Sequence, residues 1–245
     1  MYNMKGRTAI ITGGAAGIGY ATAERFLEEG VNVAICDVAE EKLAQAAKTL
    51  GEKGTVYYEV VDISNFDAVT TFVKNVFDKF GSVDILINNA GITRDAQFYK
   101  MDIEQFRKVV DVNLMGSVHM CKACVPYMME QKYGKIVNCS SVAALSGNFG
   151  QTNYSAAKGA MISYTHTMGK ELMRHGINVN VIIPGAVLTD MTMAMPEDIR
   201  EAKAKTFPGK RWGSPRELAN AYVFLASDEA SWINCAQLQV DGGYF

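Results

Sequence analysis

A doubly wound α/β fold, a parallel sheet with helices on both faces, is what three observations in this 245-residue chain predict. Short β-branched runs alternate with longer helical patterns along the sequence, and a glycine cluster joins the first run to the first helical segment. No repeat, low-complexity linker or composition shift divides the chain. Strands alternating with helices imply a parallel sheet covered on both sides. Right-handed crossovers then favour double winding. The expectation is a single domain over residues 1–245, with 49% hydrophobic residues to build one sizeable core.

In chain order, Thr8–Thr12 predicts a strand and Gly17–Glu29 a helix, with the glycine turn between them. Val31–Cys36 reads as the second strand, Glu40–Leu50 as a helix, Thr55–Val61 as the third strand and Phe66–Phe80 as a helix. Val83–Ile87 follows as the fourth strand. Residues Ile103 to Met129 contain a long helix interrupted or bent near Pro126, where the ring removes a donor. Lys135–Cys139 is the fifth strand, a helix around Tyr154 comes next, and the sixth strand, Ile177–Ile183, stops at Pro184-Gly185. Glu217–Ala226 reads as helix and Gln237–Val240 as the last strand. Between them, Gly185 to Gly213 is the longest irregular stretch, with Pro196 and Pro208 inside it. It leaves the C-terminal end of a strand, where open parallel sheets bind ligands, so 185–213 is a candidate substrate lid. An ordinary surface insertion is the alternative.

A formal charge of −2, without long runs of like charge, gives no electrostatic reason for nucleic acid or an anionic membrane as partner; small molecules are expected. No apolar run approaches the roughly 20 residues of a transmembrane helix. Five cysteines without a secretory signal point to a reducing, cytoplasmic compartment. Cys121-x-x-Cys124 with His119 nearby lacks a second ligand pair, so no metal site is expected. His166 and His175 read as surface or packing residues.

The chemistry is carried by Tyr154 and Lys158, four residues apart, with Ser141 thirteen residues before Tyr154. On a helix, residues i and i+4 share a face, so both side chains enter one pocket. A tyrosine titrates at about 10 in water, so acid–base work near neutrality needs roughly 4 kcal/mol of phenolate stabilisation, part of which a nearby ammonium supplies. Ser141, at the end of a neighbouring strand, would hold a carbonyl oxygen by hydrogen bond. A solvated helix face is the ordinary source of such a pair, and its weight here comes from context.

That context is a dinucleotide site. In Thr12-Gly13-Gly14-Ala15-Ala16-Gly17-Ile18-Gly19, Gly13, Gly17, Ile18 and Gly19 turn the backbone tightly and bring a helix N-terminus up to a pyrophosphate. Asp37 follows the second strand, eighteen residues beyond Gly19, where a carboxylate accepts from an adenosine ribose and repels a 2′-phosphate. Ala15, Ala16, Val38 and Ala39 add no positive charge, so the expected cofactor is NAD. Asp62, with Ile63 beside it, ends the third strand and is placed against the adenine, and Asn89 of Asn88-Asn89-Ala90-Gly91 ends the fourth. Strand-end capping is compatible with each of these roles.

In family order, the glycine motif at Thr12–Gly19, Asn88–Gly91, Asn113, Ser141, Tyr154, Lys158 and Pro184-Gly185 resemble the short-chain dehydrogenase/reductase family, a Rossmann-type fold, over essentially the whole chain. The resemblance implies Tyr154 as general acid or base, Lys158 as ribose anchor and phenolate stabiliser, and Ser141 as carbonyl orienter. Asn113 would hold a water that links Lys158 to solvent. It also implies that the Val187 backbone binds the nicotinamide carboxamide, that Thr189 supports the phosphate side, and that helical segments 102–130 and 153–174 build a homotetramer, with Tyr244-Phe245 extending an interface.

Within the family, Asn89–Asp95 and Asp241–Gly243 are similar to bacterial 3-oxoacyl thioester reductases, which commonly prefer NADP. The implied substrate is a 3-oxoacyl or 3-hydroxyacyl thioester on an acidic carrier, with Lys132, Lys135, Arg174 and His175 as the cations available to meet that carrier. The segment Thr189–Met195, with Phe207 and Trp212, suggests an adaptable apolar wall and resembles the lid of NAD-linked bile-acid hydroxysteroid dehydrogenases, which makes a steroid the alternative substrate. Packing of these methionines on the protein itself or on a neighbouring subunit is the other reading, as is a non-catalytic NAD-binding regulator for the whole chain.

Overall fold

The computed structural model describes residues 2–193 and 195–245, without the side chains of Asp190 and Met191. Its elements run β1 (Thr8–Thr12), α1 (Gly17–Glu28), β2 (Asn32–Asp37), α2 (Glu40–Gly51), β3 (Val56–Val60), α3 (Phe66–Phe80) and β4 (Ile85–Asn88). There follow α4 (Ile103–Val110), α5 (Gly116–Gln131), β5 (Gly134–Cys139), α6 (Ala143–Ser146), α7 (Thr152–Leu172) and β6 (Ile177–Pro184). The chain ends with α8 (Asp190–Met193), α9 (Glu197–Thr206), α10 (Pro215–Ala226) and β7 (Gln237–Val240). Among the described residues the strands form one seven-stranded sheet in the order β3-β2-β1-β4-β5-β6-β7. Every pairing is parallel. The order reverses between β1 and β4, so a crevice opens at their C-terminal ends.

The sheet is covered on both faces, and its sequence shows why. Side chains alternate across a strand. Ala9, Ile11, Val33, Ile35, Ile85 and Ile87 enter one apolar layer with α1, α2 and α10. Ile10, Ala34, Cys36, Leu86 and Ile136 enter the other with α3 and α5. The central strands β1, β4, β5 and β6 are buried at every position, as a sheet with two covered faces requires.

Three expectations need correction. The long helix changes register not near Pro126 but at Asp111–Met115, a π-helical turn between α4 and α5, while α5 continues through Pro126. The cause is Asn113, whose side chain accepts from Ile92 N at 2.8 Å and donates to Ile92 O at 3.0 Å, so the helix widens to deliver it. Second, the stretch 185–213 is not irregular: it holds α8 and α9, and its two ends are clamped by a parallel bridge between Val187 and Gly213. Third, Lys135 is buried and donates to Asn178 Oδ1 at 2.7 Å, and burial holds its ammonium below the usual lysine range. It cannot meet a carrier. Lys132, Arg174 and His175 precede β5 and β6, at the end of the sheet opposite the crevice.

No described helix is long and apolar enough to cross a membrane. Cys36, Cys121 and Cys124 sit inside the second apolar layer, and Cys121 Sγ accepts from Asn88 Nδ2 at 3.3 Å. Burial raises all three thiols, that of Cys121 to about 11. Since the thiolate is the reactive form, iodoacetamide at pH 8 should label the half-buried Cys235 in the native protein and reach Cys36, Cys121 and Cys124 only after denaturation. Peptide mass mapping that found Cys121 or Cys124 alkylated as fast as Cys235 would contradict this packing.

Candidate active site

The glycine turn between β1 and α1 forms one wall of the crevice. Gly13 lies at φ 68°, in the left-handed region. A Cβ on Gly19 would fall 2.0 Å from Gly13 O, so only glycine lets the loop fold back on its own helix. Asn89 secures the loop from β4, donating from Nδ2 to Thr12 O at 3.1 Å, and Thr12 Oγ1 accepts from Asn89 N and Ala90 N at 3.1 and 3.0 Å. Ala16 at the start of α1 makes no side-chain cap, so the first-turn amides keep their donors for an external anion. The cradle fits a pyrophosphate by shape and by donor set.

At the far end of β2, Asp37 accepts from Ala15 N at 3.3 Å and from Ala39 N at 3.1 Å. Two backbone donors fix the carboxylate and leave lone pairs for further donors, such as a ribose diol. Asp37 O accepts from Val61 N at 3.0 Å, which brings the following Asp62 and Ile63 alongside. Asp62 lies two residues beyond the end of β3, and hydrogen bonds from Ser64 hold its carboxyl below the usual range. Ile63 is buried under Gly116, and its carbonyl is bonded to His119 Nδ1 at 2.9 Å.

The other wall is α7. Asn153 Nδ2 donates to Arg94 O at 2.9 Å, Gln151 Nε2 to Asp95 Oδ2 at 2.9 Å, and Ala96 N to Gly150 O at 2.9 Å, so the start of the helix is stitched to the loop after β4. Deeper in the sheet, Asn138 joins β5 to β4 through Asn88 Nδ2 at 2.9 Å and to α7 through Thr165 Oγ1 at 2.9 Å. These ties place Lys158, which is 3% exposed, with Nζ donating to Cys139 O at 2.8 Å. Its Nζ stands 5.7 Å from the Tyr154 ring centroid. An ammonium has three donors; among the described residues the Cys139 carbonyl takes one, and Lys158 lines the cavity with the rest. Ser141, two residues beyond β5, accepts from Ala143 N at 3.2 Å, which orients Oγ and leaves its own proton to donate.

Ile18, Asn89, Ser141, Tyr154, Lys158, Val187 and Thr189 therefore line one cavity of about 340 Å³. Gly13, Gly17 and Gly19 border it, and Thr189 Cγ2 is 3.5 Å from where a Cβ on Gly17 would lie. Asp37 ends β2, and Asp62 and Ile63 follow β3, at the C-terminal side of the sheet but outside the residues that line the cavity. Asn113 stands behind Lys158: a Cβ on Gly91 would meet Asn113 Oδ1 at 3.3 Å and Lys158 Nζ at 3.4 Å. The Asn113 side chain is oriented by Ile92, which takes one of its two donors and one of its two acceptor sites.

The segment 185–213 contributes Thr192, Met195, Lys203 and Trp212 to the cavity. Of the expected apolar wall, Met191 lies outside the described side chains, Ala194 outside the described residues, and Met193 is exposed. Phe207 is buried behind the wall, edge-on to Trp212 and to Tyr244, each with ring centroids 5.1 Å apart. Tyr244 lines the cavity while remaining 42% exposed. The signal for this placement was Asp241-Gly242-Gly243: Asp241 accepts from Gly243 N at 2.9 Å and Phe245 N at 3.1 Å and reverses the chain. Sequence reasoning also missed Asn153 and Lys203.

The comparisons with known proteins agree with this fold. The family model for enoyl-(acyl carrier protein) reductase matches residues 13–245. The 3-oxoacyl-[acyl-carrier-protein] reductase FabG of Thermotoga maritima is 42% identical, with 98% of each chain covered. That of Vibrio harveyi is 40% identical, with 99% of each covered. Among solved structures, levodione reductase superposes with a TM-score of 0.93 at 34% identity, over 98% of this chain and 97% of the other. With the family model and full-length relatives in agreement, the chain belongs to the short-chain dehydrogenase/reductase family.

Proposed function

We propose that this family oxidoreductase uses NAD(H) to interconvert a ketone and a secondary alcohol, with a 3-oxoacyl/3-hydroxyacyl thioester as substrate. The observation that carries the reading is the meeting of Ser141, Tyr154 and Lys158 in one cavity at the switch point of the sheet. Nicotinamide, when bound, supplies or accepts the hydride. Ser141, with Oγ fixed by Ala143 N, donates to the carbonyl oxygen. Tyr154 gives its phenolic proton to the oxygen as alcohol forms, and the adjacent Lys158 ammonium offsets the charge left behind. The remaining Lys158 donors suit a ribose diol, and Asn113 holds a water through which the proton is replaced from solvent. Val187 and Thr189 border the nicotinamide end.

The thioester reading is supported by full-length relatives named 3-oxoacyl-[acyl-carrier-protein] reductase. A hydroxysteroid substrate is the second reading, favoured by the aromatic pair Trp212 and Tyr244 in the cavity wall. The NAD reading is supported by the Asp37 carboxylate at the end of β2, held by Ala15 N and Ala39 N, which would repel a 2′-phosphate bound beside it. The groove beside Ala15 and Ala16 offers no net positive charge, being lined by Glu41 together with Lys42. In this reading the enzyme is a cytoplasmic homotetramer, supported by Ile103, Met115 and Met129 exposed along the α4–α5 region. The segment 185–213 acts as its substrate lid.

Tyr154→Phe should lower kcat by at least about 100-fold, the range of one acid–base catalyst, while NADH binding by fluorescence titration and thermal stability stay close to wild type. Near-normal turnover would remove Tyr154 from the mechanism. Asp37→Ala should shift the ratio of kcat/KM for NADH over NADPH toward NADPH by about tenfold or more, as loss of one charge repulsion predicts. An unchanged ratio would place cofactor discrimination elsewhere.

A further inference from the structure

We propose that Lys203 is an anion-binding residue of the substrate cavity, and that the substrate carries a carboxylate or phosphate beyond the apolar body that bears its ketone. This rests on the reading of the cavity as a ketone/alcohol site and names the substrate feature that the far end of the cavity recognises.

The charge inventory of the cavity is one-sided. Among the described residues lining it, Lys158 and Lys203 are the charged side chains, and no carboxylate faces them. Lys158 is committed to the Cys139 carbonyl and to the catalytic end. Lys203 comes from the last turn of α9 in the opposite wall, and no described carboxylate lies within ion-pair distance of it. Its neighbour Arg200, one turn earlier, is instead paired with Glu197 at 3.7 Å. A cation in a concave wall without a counter-charge draws anions in.

Lys203 is exposed, and the Trp212 ring is its partner in the cavity wall. Its Nζ lies 5.7 Å from the Trp212 ring centroid, a cation–π contact that holds the ammonium on the cavity wall. Trp212 is buried and fixed twice, by Nε1 donating to Arg200 O at 3.1 Å and by its edge contact with Phe207. Phe207 in turn supports Tyr244. The far end therefore combines an aromatic wall for an apolar body with one point charge at its edge. An ammonium, unlike a guanidinium fork, accepts carboxylate and phosphate alike. Lys132, Arg174 and His175 lie at the opposite end of the sheet and do not line this cavity.

Two substrate pairs test this, each differing only in the anion: acetoacetyl-phosphopantetheine against acetoacetyl-pantetheine, and an oxo-steroid acid against its primary amide. In the wild type, kcat/KM should favour the charged member of at least one pair by about tenfold, the effect of one charge-assisted contact. The preference should weaken with added salt, as an exposed charge requires. Lys203→Gln should collapse the ratio toward one and remove its salt dependence, and Lys203→Arg should restore most of it. A preference in the phosphate pair identifies a phosphopantetheine thioester, and one in the carboxylate pair identifies a free acid. The same ratio in wild type and Lys203→Gln for both pairs would overturn the assignment. Turnover of the uncharged members by the wild type reports separately on the ketone/alcohol reading, so the two can fail independently.

Discussion

A buried ammonium with no carboxylate partner among the described residues, Lys158, is the constraint on which the site depends. Taking such a charge out of water is costly unless it is hydrogen-bonded, and the fold answers with several elements at once. The end of β5 supplies the Cys139 carbonyl, and Ser140 Oγ donates to the Lys158 carbonyl at 2.7 Å, so strand and helix are locked to one another. Gly91 leaves room at the end of β4, and the π-helical turn brings Asn113 in behind. A site that keeps unsatisfied lysine donors at a cavity wall is prepared for a ligand rich in hydroxyl oxygens, and the glycine cradle lies beside it.

The doubly wound sheet organises the remaining chemistry by polarity. Amide donors gather at the turn before α1, the carboxylates of Asp37 and Asp62 at the ends of β2 and β3, and Tyr154 and Lys158 at the start of α7, all at the end of the sheet where the crevice opens. The segment 185–213 follows β6 and lines the cavity with Thr192, Met195, Lys203 and Trp212. Its clamp at Val187 and Gly213 fixes the base, while α8 and α9 carry the side chains that vary the cavity. The proposed catalytic and recognition groups thus sit on different elements, with Lys158 on α7 and Lys203 on α9.

Much of this was legible in the sequence where a local device sets the structure. The helix Phe66–Phe80 reads the same in both because Asn65 accepts from Ala68 N at its start and Gly81 ends it at φ 77°. The Tyr154–Lys158 pair was legible because helix periodicity alone puts both on one face. The π turn was not, because a one-residue change of register barely alters the apolar pattern and its cause, Ile92, lies 21 residues before Asn113. Pro126 carries the stronger local signal and misdirects. In the lid, Pro196 reads as a breaker but serves as the N-cap of α9, and Glu197 and Asp198 in the first turn with Lys203 and Lys205 in the last were the available helix signature. Lys135 shows the limit of reading charge as surface: only the tertiary contact with Asn178 reveals that it is buried.

Absorbance at the reduced-nicotinamide band, with wild-type protein, NADH or NADPH, and acetoacetyl thioester beside oxo-steroids and simple ketones, tests the central claim most directly. The account predicts oxidation of NADH in preference to NADPH with the thioester as the best substrate, and activity confined to steroids would move the substrate to the second reading. Preference for NADPH would contradict the role given to Asp37, and no turnover of any ketone despite NADH binding would contradict the catalytic reading of Tyr154 and Lys158.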